Sequence, residues 1–436
     1  MAASRVQSIC LIAAFLMMVG VVAPSQVICD LRKGDSPQIL ELLRRKPTQA
    51  NLRRLESSLE SGCTAAQAVR PWMQAARFVL LRDTGDKALL GRDGWFFYRP
   101  AVQYLIEPAP STQEVLNAVL AFRDDLAKRG VKLLVMPAPN KASVYPGMLA
   151  ARAARVETVN AGTRDVLAEL KAAGVEVLDL FELYHQATEK AGTPPCYLAQ
   201  DSHWSPEGMK LAAEAAARRL LEAGWVQKGS ARYEAKSMPV ERYGDVLKMI
   251  RVPQVERLFE PQRMDCEQVI DAGTGKPYAD DPNSPILVLG DSFLRIYERD
   301  EPTSGGFVAH LAKELGFGLT SVISDGGAST LVRQQLARKP SLLEGKKVVL
   351  WEFVERDIRF GTEGWQVVPI PGGSRPGEKS LSQSATSRIM AGHECTKEIP
   401  LRSGGRDRGQ TTIGQGKPNV AGDPYERDHR QEHVAS

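Results

Sequence analysis

The sequence predicts an α/β protein with a mostly parallel sheet covered on both faces, and three observations carry that prediction. Solid apolar runs of strand length recur at VKLLVMP (131–137), PILVLG (285–290) and KVVLWEF (347–353), the signature of strands buried on both sides. Amphipathic helical patterns separate them, as crossover connections between parallel strands require. With 436 residues, 43% of them apolar, the chain is also long enough to bury a substantial core. Its 56 basic and 52 acidic residues are intermixed, for a net charge of +4. That balance offers no basic stripe for nucleic acid.

The elements follow in order. Arg5 precedes the apolar run Ile9 to Ala23, and Ala23, Pro24 and Ser25 place small residues at a cleavage site before Gln26. Residues 1–28 therefore read as a signal peptide. If the apolar register continues through Val27 and Ile28, the segment reaches about 20 residues, enough for an uncleaved membrane anchor. Both forms place the rest of the chain outside the cytoplasm. Residues 29–84 form a helical preface, with three-and-four apolar spacing from Ile39 to Leu81.

Residues 85–370 carry the main domain. GRDGWFFY (91–98) reads as a glycine turn opening into an aromatic strand. Ser111 and Glu114 form a capping-box signature for a helix to about Lys128, which leads into the strand at 131–137. A helix over 156–173 precedes the strand VEVLDL (175–180), and a helix over 206–223 follows the stretch DSHW. Residues 229–281 break the alternation with Gly, Pro and charge, and read as an insertion over one end of the sheet. Then come the strand 285–290, a helix over 307–315, the strand LTSVIS (319–324), a helix over 330–337 and the strand 347–353. From 371 to 436 the composition turns to Gly, Ser, Arg and Asp with few large apolar residues, which predicts a disordered tail.

Six cysteines stand at 10, 29, 63, 196, 266 and 395, with no CxxC pair and no histidine at metal-ligand spacing. No metal site is expected. In an oxidising compartment some should pair, and Cys63 with Cys266 is the preferred bridge, the alternative being buried free thiols.

The candidate chemistry lies in two short motifs. In DSHWSPEG, Asp201 and His203 are separated by one residue, which in extended chain puts both side chains on the same side. About ninety residues on, a buried strand delivers GDSF, with Ser292, to the carboxyl edge of the sheet, where ligands bind in open α/β folds. Serine needs a base to become a nucleophile, and His203 is the natural one; Asp201 would fix its tautomer and stabilise its charged form. The amide of Ser292 could donate to a developing oxyanion. His185 and His310 sit in helical patterns, and His393, His429 and His433 in the tail.

GDSF after a buried strand resembles the nucleophile block of the SGNH (GDSL-like) hydrolases, whose usual order places the Asp and His after the serine. Here DSHW precedes GDSF, and that permuted order resembles the alginate O-acetyltransferases of the AlgJ and AlgX type, as do GRDGWFFY, PAPNKASVYP (137–146) and VVLWEFVERD (348–357). The resemblance covers about 87–359. It implies a flavodoxin-like three-layer α/β/α sandwich with Ser292 as nucleophile, His203 as base and Asp201 as its orienting acid. It also implies transfer of acetyl groups to an exopolysaccharide outside the cytoplasmic membrane, with a membrane-bound O-acyltransferase as acetyl supplier and other secretion proteins as partners. No Gly-rich phosphate loop appears, so neither acetyl-CoA nor another cofactor is expected. The polar tail offers no counterpart to the sugar-binding β-sandwich of AlgX-type proteins, which makes the chain look more like the AlgJ type. Trp204 is a candidate sugar-stacking platform, and Lys141 and Arg356 are candidate partners of an anionic polymer. The alternatives are a carbohydrate acetylesterase using the same triad and a non-catalytic scaffold of a secretion complex.

Overall fold

Alternate residues of the central strands face different layers of helices, and this alternation builds the molecule. The computed structural model describes residues 2–17, 20, 23–34, 48–53, 64–106, 112–155, 160–325, 327–360 and 364–372. Nine strands are present among these: β1 (Ala88–Leu90), β2 (Phe96–Tyr98), β3 (Lys132–Ala138), β4 (Glu176–Val177), β5 (Tyr233–Arg242), β6 (Gln262–Asp271), β7 (Ile286–Gly290), β8 (Thr320–Ile323) and β9 (Val348–Val354). Five of them form one parallel sheet in the order β4-β3-β9-β7-β8.

On one face Leu134, Met136, Ile286, Val288, Val348 and Leu350 pack against the helices Leu180–Glu189, Pro206–Glu222 and Phe307–Leu315. On the other, Leu133, Val135, Leu287, Leu289, Val349 and Trp351 pack against Gln113–Ala127, Ala161–Ala172 and Leu331–Arg338. Burial of a strand on both sides removes the polar positions a half-exposed strand would carry, which is why these sequences are solid apolar runs. The result is the three-layer α/β/α sandwich.

Sheet order also explains the motif order. Counted from the strand that leads to Ser292 and continued from the end of the domain to its beginning, the five strands are β7, β8, β9, β3, β4. In space they lie 2-1-3-4-5, the flavodoxin-like order. The chain is thus a circular permutation of that fold, with its opening between the third and fourth strands of the count. A loop that follows the fifth strand therefore precedes the first in sequence, although the two meet in space.

Several sequence expectations shift in detail. The strand VEVLDL shortens to Glu176–Val177, because the Asp179 side chain accepts the Phe181 N–H and starts a helix at Leu180. Of the expected capping box, Ser111 lies outside the described residues; the helix Gln113–Ala127 has Thr112 as its N-cap, which makes no side-chain cap bond. Residues 229–281 are an antiparallel hairpin of β5 and β6, paired from Tyr233↔Asp271 to Arg242↔Gln262, with the short helices Asp245–Lys248 and Pro253–Glu256 between its strands. The aromatic strand at 96–98 pairs with β1 in a small hairpin of its own. Phe78 of the helix Thr64–Leu81, Phe96, Val246, Leu247 and Val255 form a separate cluster that joins the N-terminal helix to the insertion.

The apolar N-terminus is described as the helices Ala2–Met17 and Ala23–Lys33, and no helix among the described residues is long and apolar enough to cross a membrane. The tail expected after Pro371 lies, from residue 373 on, outside the described residues.

Candidate active site

β7 delivers Gly290, Asp291 and Ser292 to the carboxyl edge of the sheet, between β9 and β8. Glycine is required at 290, since a Cβ there would lie 2.4 Å from Leu294 Cδ1 and 2.5 Å from Glu352 Oε2. Asp291 caps the short helix Ser292–Arg295 by accepting the Phe293 N–H at 2.8 Å, and its own N–H donates to Glu352 Oε2 at 3.1 Å. Burial, reinforced by the nearby Asp291 charge, drives the Glu352 pKa well above the ordinary carboxylate range. This carboxyl lies under the turn and holds the backbone of Asp291 from the neighbouring strand. Ser292 itself is half-buried, with its hydroxyl turned toward His203.

His203 and Asp201 come from the loop between the helices Leu180–Glu189 and Pro206–Glu222. Tyr197 and Trp204 pair across the base of this loop as an isolated bridge. Ser205 closes it: its N–H donates to Cys196 O, its hydroxyl donates to Pro195 O at 2.6 Å, and its oxygen accepts the Gly208 N–H as the helix N-cap. His203 Nε2 lies 2.9 Å from Ser292 Oγ, and Nδ1 lies 2.7 Å from Asp201 Oδ1, which also accepts the His203 backbone N–H at 3.0 Å. With Nδ1–H donated to Asp201, Nε2 is free to accept the serine proton. Burial disfavours the charged imidazole, but its bond to Asp201 and the charges of Asp201, Asp245 and Asp291 outweigh that cost and raise its pKa. Burial likewise opposes ionisation of Asp201, and His203 with Arg242 overcomes it, holding that carboxyl well below the usual range.

Two segments distant in sequence clamp this loop. Buried Lys141 donates to the carbonyls of Leu198, Ala199 and Asp201 at 2.8, 3.0 and 2.6 Å. On the other side, Gly244 of the insertion presses against the loop so closely that a Cβ would lie 2.3 Å from Gln200 C and 2.6 Å from Asp201 N. Asp245, next in the chain, donates its N–H to Asp201 Oδ2 at 3.1 Å and accepts from Ser202 N–H and Oγ–H, both at 2.6 Å.

Ser292, His203 and Asp201 are thus brought together as one hydrogen-bonded chain, while the expected binding residues fare differently. Trp204 is fully buried, stacked on Phe307 at 5.8 Å and edge-on to Phe293, so it is a packing wedge and not a platform for a sugar. Lys141 is corrected in the same way: its ammonium is consumed by three carbonyls and lies over Phe97 and Trp95, out of reach of a polymer. Arg356 is half-exposed, with its guanidinium over Tyr98, and lines a small cleft with Ser202 and Asn140. Of the expected disulfide, Cys266 on β6 is a free thiol, 1% exposed, whose pKa burial pushes up to about 12, and Cys63 lies outside the described residues.

Asp201, His203 and Asp245 are the one group among the described residues whose ligand atoms could surround a metal ion. Their carboxylate oxygens are already turned onto N–H and O–H donors, so the set works as a hydrogen-bond relay. A cavity of about 260 Å³ between the helices Pro206–Glu222 and Phe307–Leu315, lined by Glu207, Lys210, Glu267 and His310, contains none of the triad. Chemistry, not volume, therefore marks the site. Sequence reasoning missed Glu352 and Asp245. The acid inside the apolar run VVLWEF was a usable signal, since a buried carboxyl in a strand demands a partner; nothing local marked Asp245.

Residues 88–355 match the family described as SGNH hydrolase-like domain, acetyltransferase AlgX. The chain is 32% identical over 149 residues to the probable alginate O-acetylase AlgJ of Pseudomonas aeruginosa, an alignment spanning 34% of this chain and 35% of that relative. It is 22% identical over 296 residues to the protein of the same description from Pseudomonas fluorescens, covering 66% of this chain and 73% of the relative. Among solved structures, the O-acetyltransferase domain of Pseudomonas putida AlgJ superposes with a TM-score of 0.51 at 21% identity, over 62% of this chain and 91% of that one. At that identity the likeness shows the fold.

Proposed function

This chain belongs to the family of SGNH hydrolase-like, AlgX-type acetyltransferase domains, and from that premise we propose that it is an O-acetyltransferase acting on hydroxyls of an exopolysaccharide. The observation that carries the proposal is the unbroken chain Ser292 Oγ, His203 Nε2, His203 Nδ1, Asp201 Oδ1, with links of 2.9 and 2.7 Å, at the switch point of the permuted sheet. His203 takes the proton of Ser292 as Oγ attacks the acetyl carbonyl, and returns it to the donor's leaving oxygen as the tetrahedral adduct collapses. Acetyl-Ser292 results. A sugar hydroxyl then attacks, giving its proton to His203, and Oγ departs with that proton, leaving the acetylated sugar and the free enzyme. Asp201 keeps Nδ1 protonated and stabilises the imidazolium in both steps. The Ser292 amide, at the start of its short helix, is a donor for the oxyanion. Arg356, the expected polymer-binding residue that remains half-exposed, would meet an anionic chain at the mouth of the site.

The relatives named as probable alginate O-acetylases support an alginate-like acceptor. In this reading the protein works outside the cytoplasm after export, receives acetyl groups from a membrane-bound O-acyltransferase and acts beside other secretion proteins. The test is the acetyl content of the secreted polymer in cells whose only copy carries Ser292→Ala. Loss of acetylation with normal levels of the variant protein is expected; unchanged acetylation overturns the proposal.

A further inference from the structure

The insertion between the helix Pro206–Glu222 and β7 places beside the triad an acid that the serine mechanism does not use. Asp245 stands at the start of the helix Asp245–Lys248, and its Oδ2 lies 3.6 Å from His203 Nδ1. Its Oδ1 accepts Ser202 N–H and its Oδ2 accepts Ser202 Oγ–H, both at 2.6 Å, while its backbone N–H donates to the far oxygen of Asp201 at 3.1 Å. Ser202 is the residue between Asp201 and His203, so the carboxylate and the backbone N–H of Asp245 both bond residues of the loop that places the imidazole. Gly244 lets the backbone come this close.

We propose that Asp245 is a positioning residue for the transfer reaction: anchored through Ser202, its carboxylate fixes the loop that carries His203 and sets a second negative charge beside Nδ1, strengthening the imidazole as a base. The inference rests on the proposed serine mechanism and extends it, because it makes the insertion part of the active site and not a cover over the sheet. The titratable and charged groups facing the pair are Asp201 on the same loop, Asp291 on the Ser292 turn, Arg242 at the end of β5, 3.9 Å from Asp201, and Lys141 beneath the loop, whose pKa burial lowers to about 7. Burial, together with the neighbouring Asp201 charge and against the pull of His203, raises the Asp245 pKa to about 6. The carboxyl is therefore ionised at neutral pH and loses its charge over the range in which a histidine titrates.

Asp245→Asn in the full chain isolates the charge, since an amide of the same shape can still accept the Ser202 N–H and bond the Ser202 hydroxyl. Two readouts are taken: the pH profile of acetyl release from p-nitrophenyl acetate, and the titration of His203 followed by NMR of histidine-labelled protein. The inference predicts that both midpoints move to lower pH, by about one pH unit, with a plateau rate lowered roughly tenfold. Ser202→Ala, which removes one of the two donors that keep the carboxylate ionised, moves both midpoints the same way by less, and serves if the first variant does not fold. A rate lowered equally at every pH, with the His203 midpoint fixed in both variants, overturns the inference. A Ser292→Ala control separates the two readings: release that survives it counts against the serine mechanism, whereas a fixed His203 midpoint counts against Asp245 alone.

Discussion

The Ser292 turn and the His203 loop reach the same point in space by opposite means. The turn is local: β7 runs into Gly290, Asp291 caps its own short helix, and one neighbouring strand supplies Glu352 beneath it. The loop is held from afar. Lys141 binds it from 57 to 60 residues away, and Asp245 from 43 to 44 residues away. A nucleophile needs little more than a strand end and a tight turn, whereas a base must be aimed at something else, and aiming takes contacts from more than one direction.

Removing the chemistry should outweigh removing any support. Ser292→Ala should abolish acetyl transfer, a loss of roughly 10⁴-fold or more, with thermal unfolding nearly unchanged because the turn is held by Gly290, Asp291 and Glu352. Asp201→Asn should cost about 10⁴-fold in turnover at constant fold, since the imidazole would be offered the wrong tautomer. Turnover and calorimetry on the same preparations check both. Either variant retaining near-normal transfer would remove the triad from the account.

The supports come next, and here the two regions should separate. Lys141→Met orphans three carbonyls, and at about 1 kcal/mol or more each it should lower stability by roughly 3 kcal/mol in urea unfolding. Turnover should fall with it, because the loop loses its anchor. If stability falls while turnover is kept, the loop does not depend on Lys141 for its aim.

The pH profile sharpens the comparison further. The raised His203 pKa means that the folded imidazole keeps its proton to a higher pH than the ordinary value of about 6.5. The base form then appears only above that point, so turnover should rise through an acid limb displaced upward and fall away as pH drops. A limb at or below the ordinary histidine value would contradict the carboxylate environment described for Nδ1.

The smallest effect should come from Trp204. Trp204→Phe, in a site filled by Phe293 and Phe307, should cost about 1–2 kcal/mol of stability and leave the KM for polymer nearly unchanged. A large rise in KM without loss of stability would restore the sugar platform that its burial rules out.

The same contrast explains what could be read from the sequence. The buried strands at 131–137, 285–290 and 347–353, the helix Phe307–Leu315 and the Ser205 N-cap follow from local pattern, and so do Asp201, His203 and Ser292 as a constellation. VEVLDL misled because its apolar run covers both a strand end and a helix start, and only the Asp179 cap separates them. Trp204 and Lys141 misled because an aromatic or a lysine beside a catalytic motif looks the same whether it faces solvent or core. Asp245 had no local signature at all: its role comes from a hairpin that folds back onto the loop. Cys266 is strand core, and composition could not say whether its thiol would meet a partner.

The most direct test of the central claim is intact mass spectrometry of the purified full chain after exposure to an activated acetyl ester, with Ser292→Ala alongside and alginate oligomers added in parallel. The account predicts an adduct of about 42 Da that maps to Ser292, is absent from the variant and is discharged faster by oligosaccharide than by water. Discharge by water alone would turn the transferase into an esterase, and an adduct that persists in Ser292→Ala would contradict the mechanism itself.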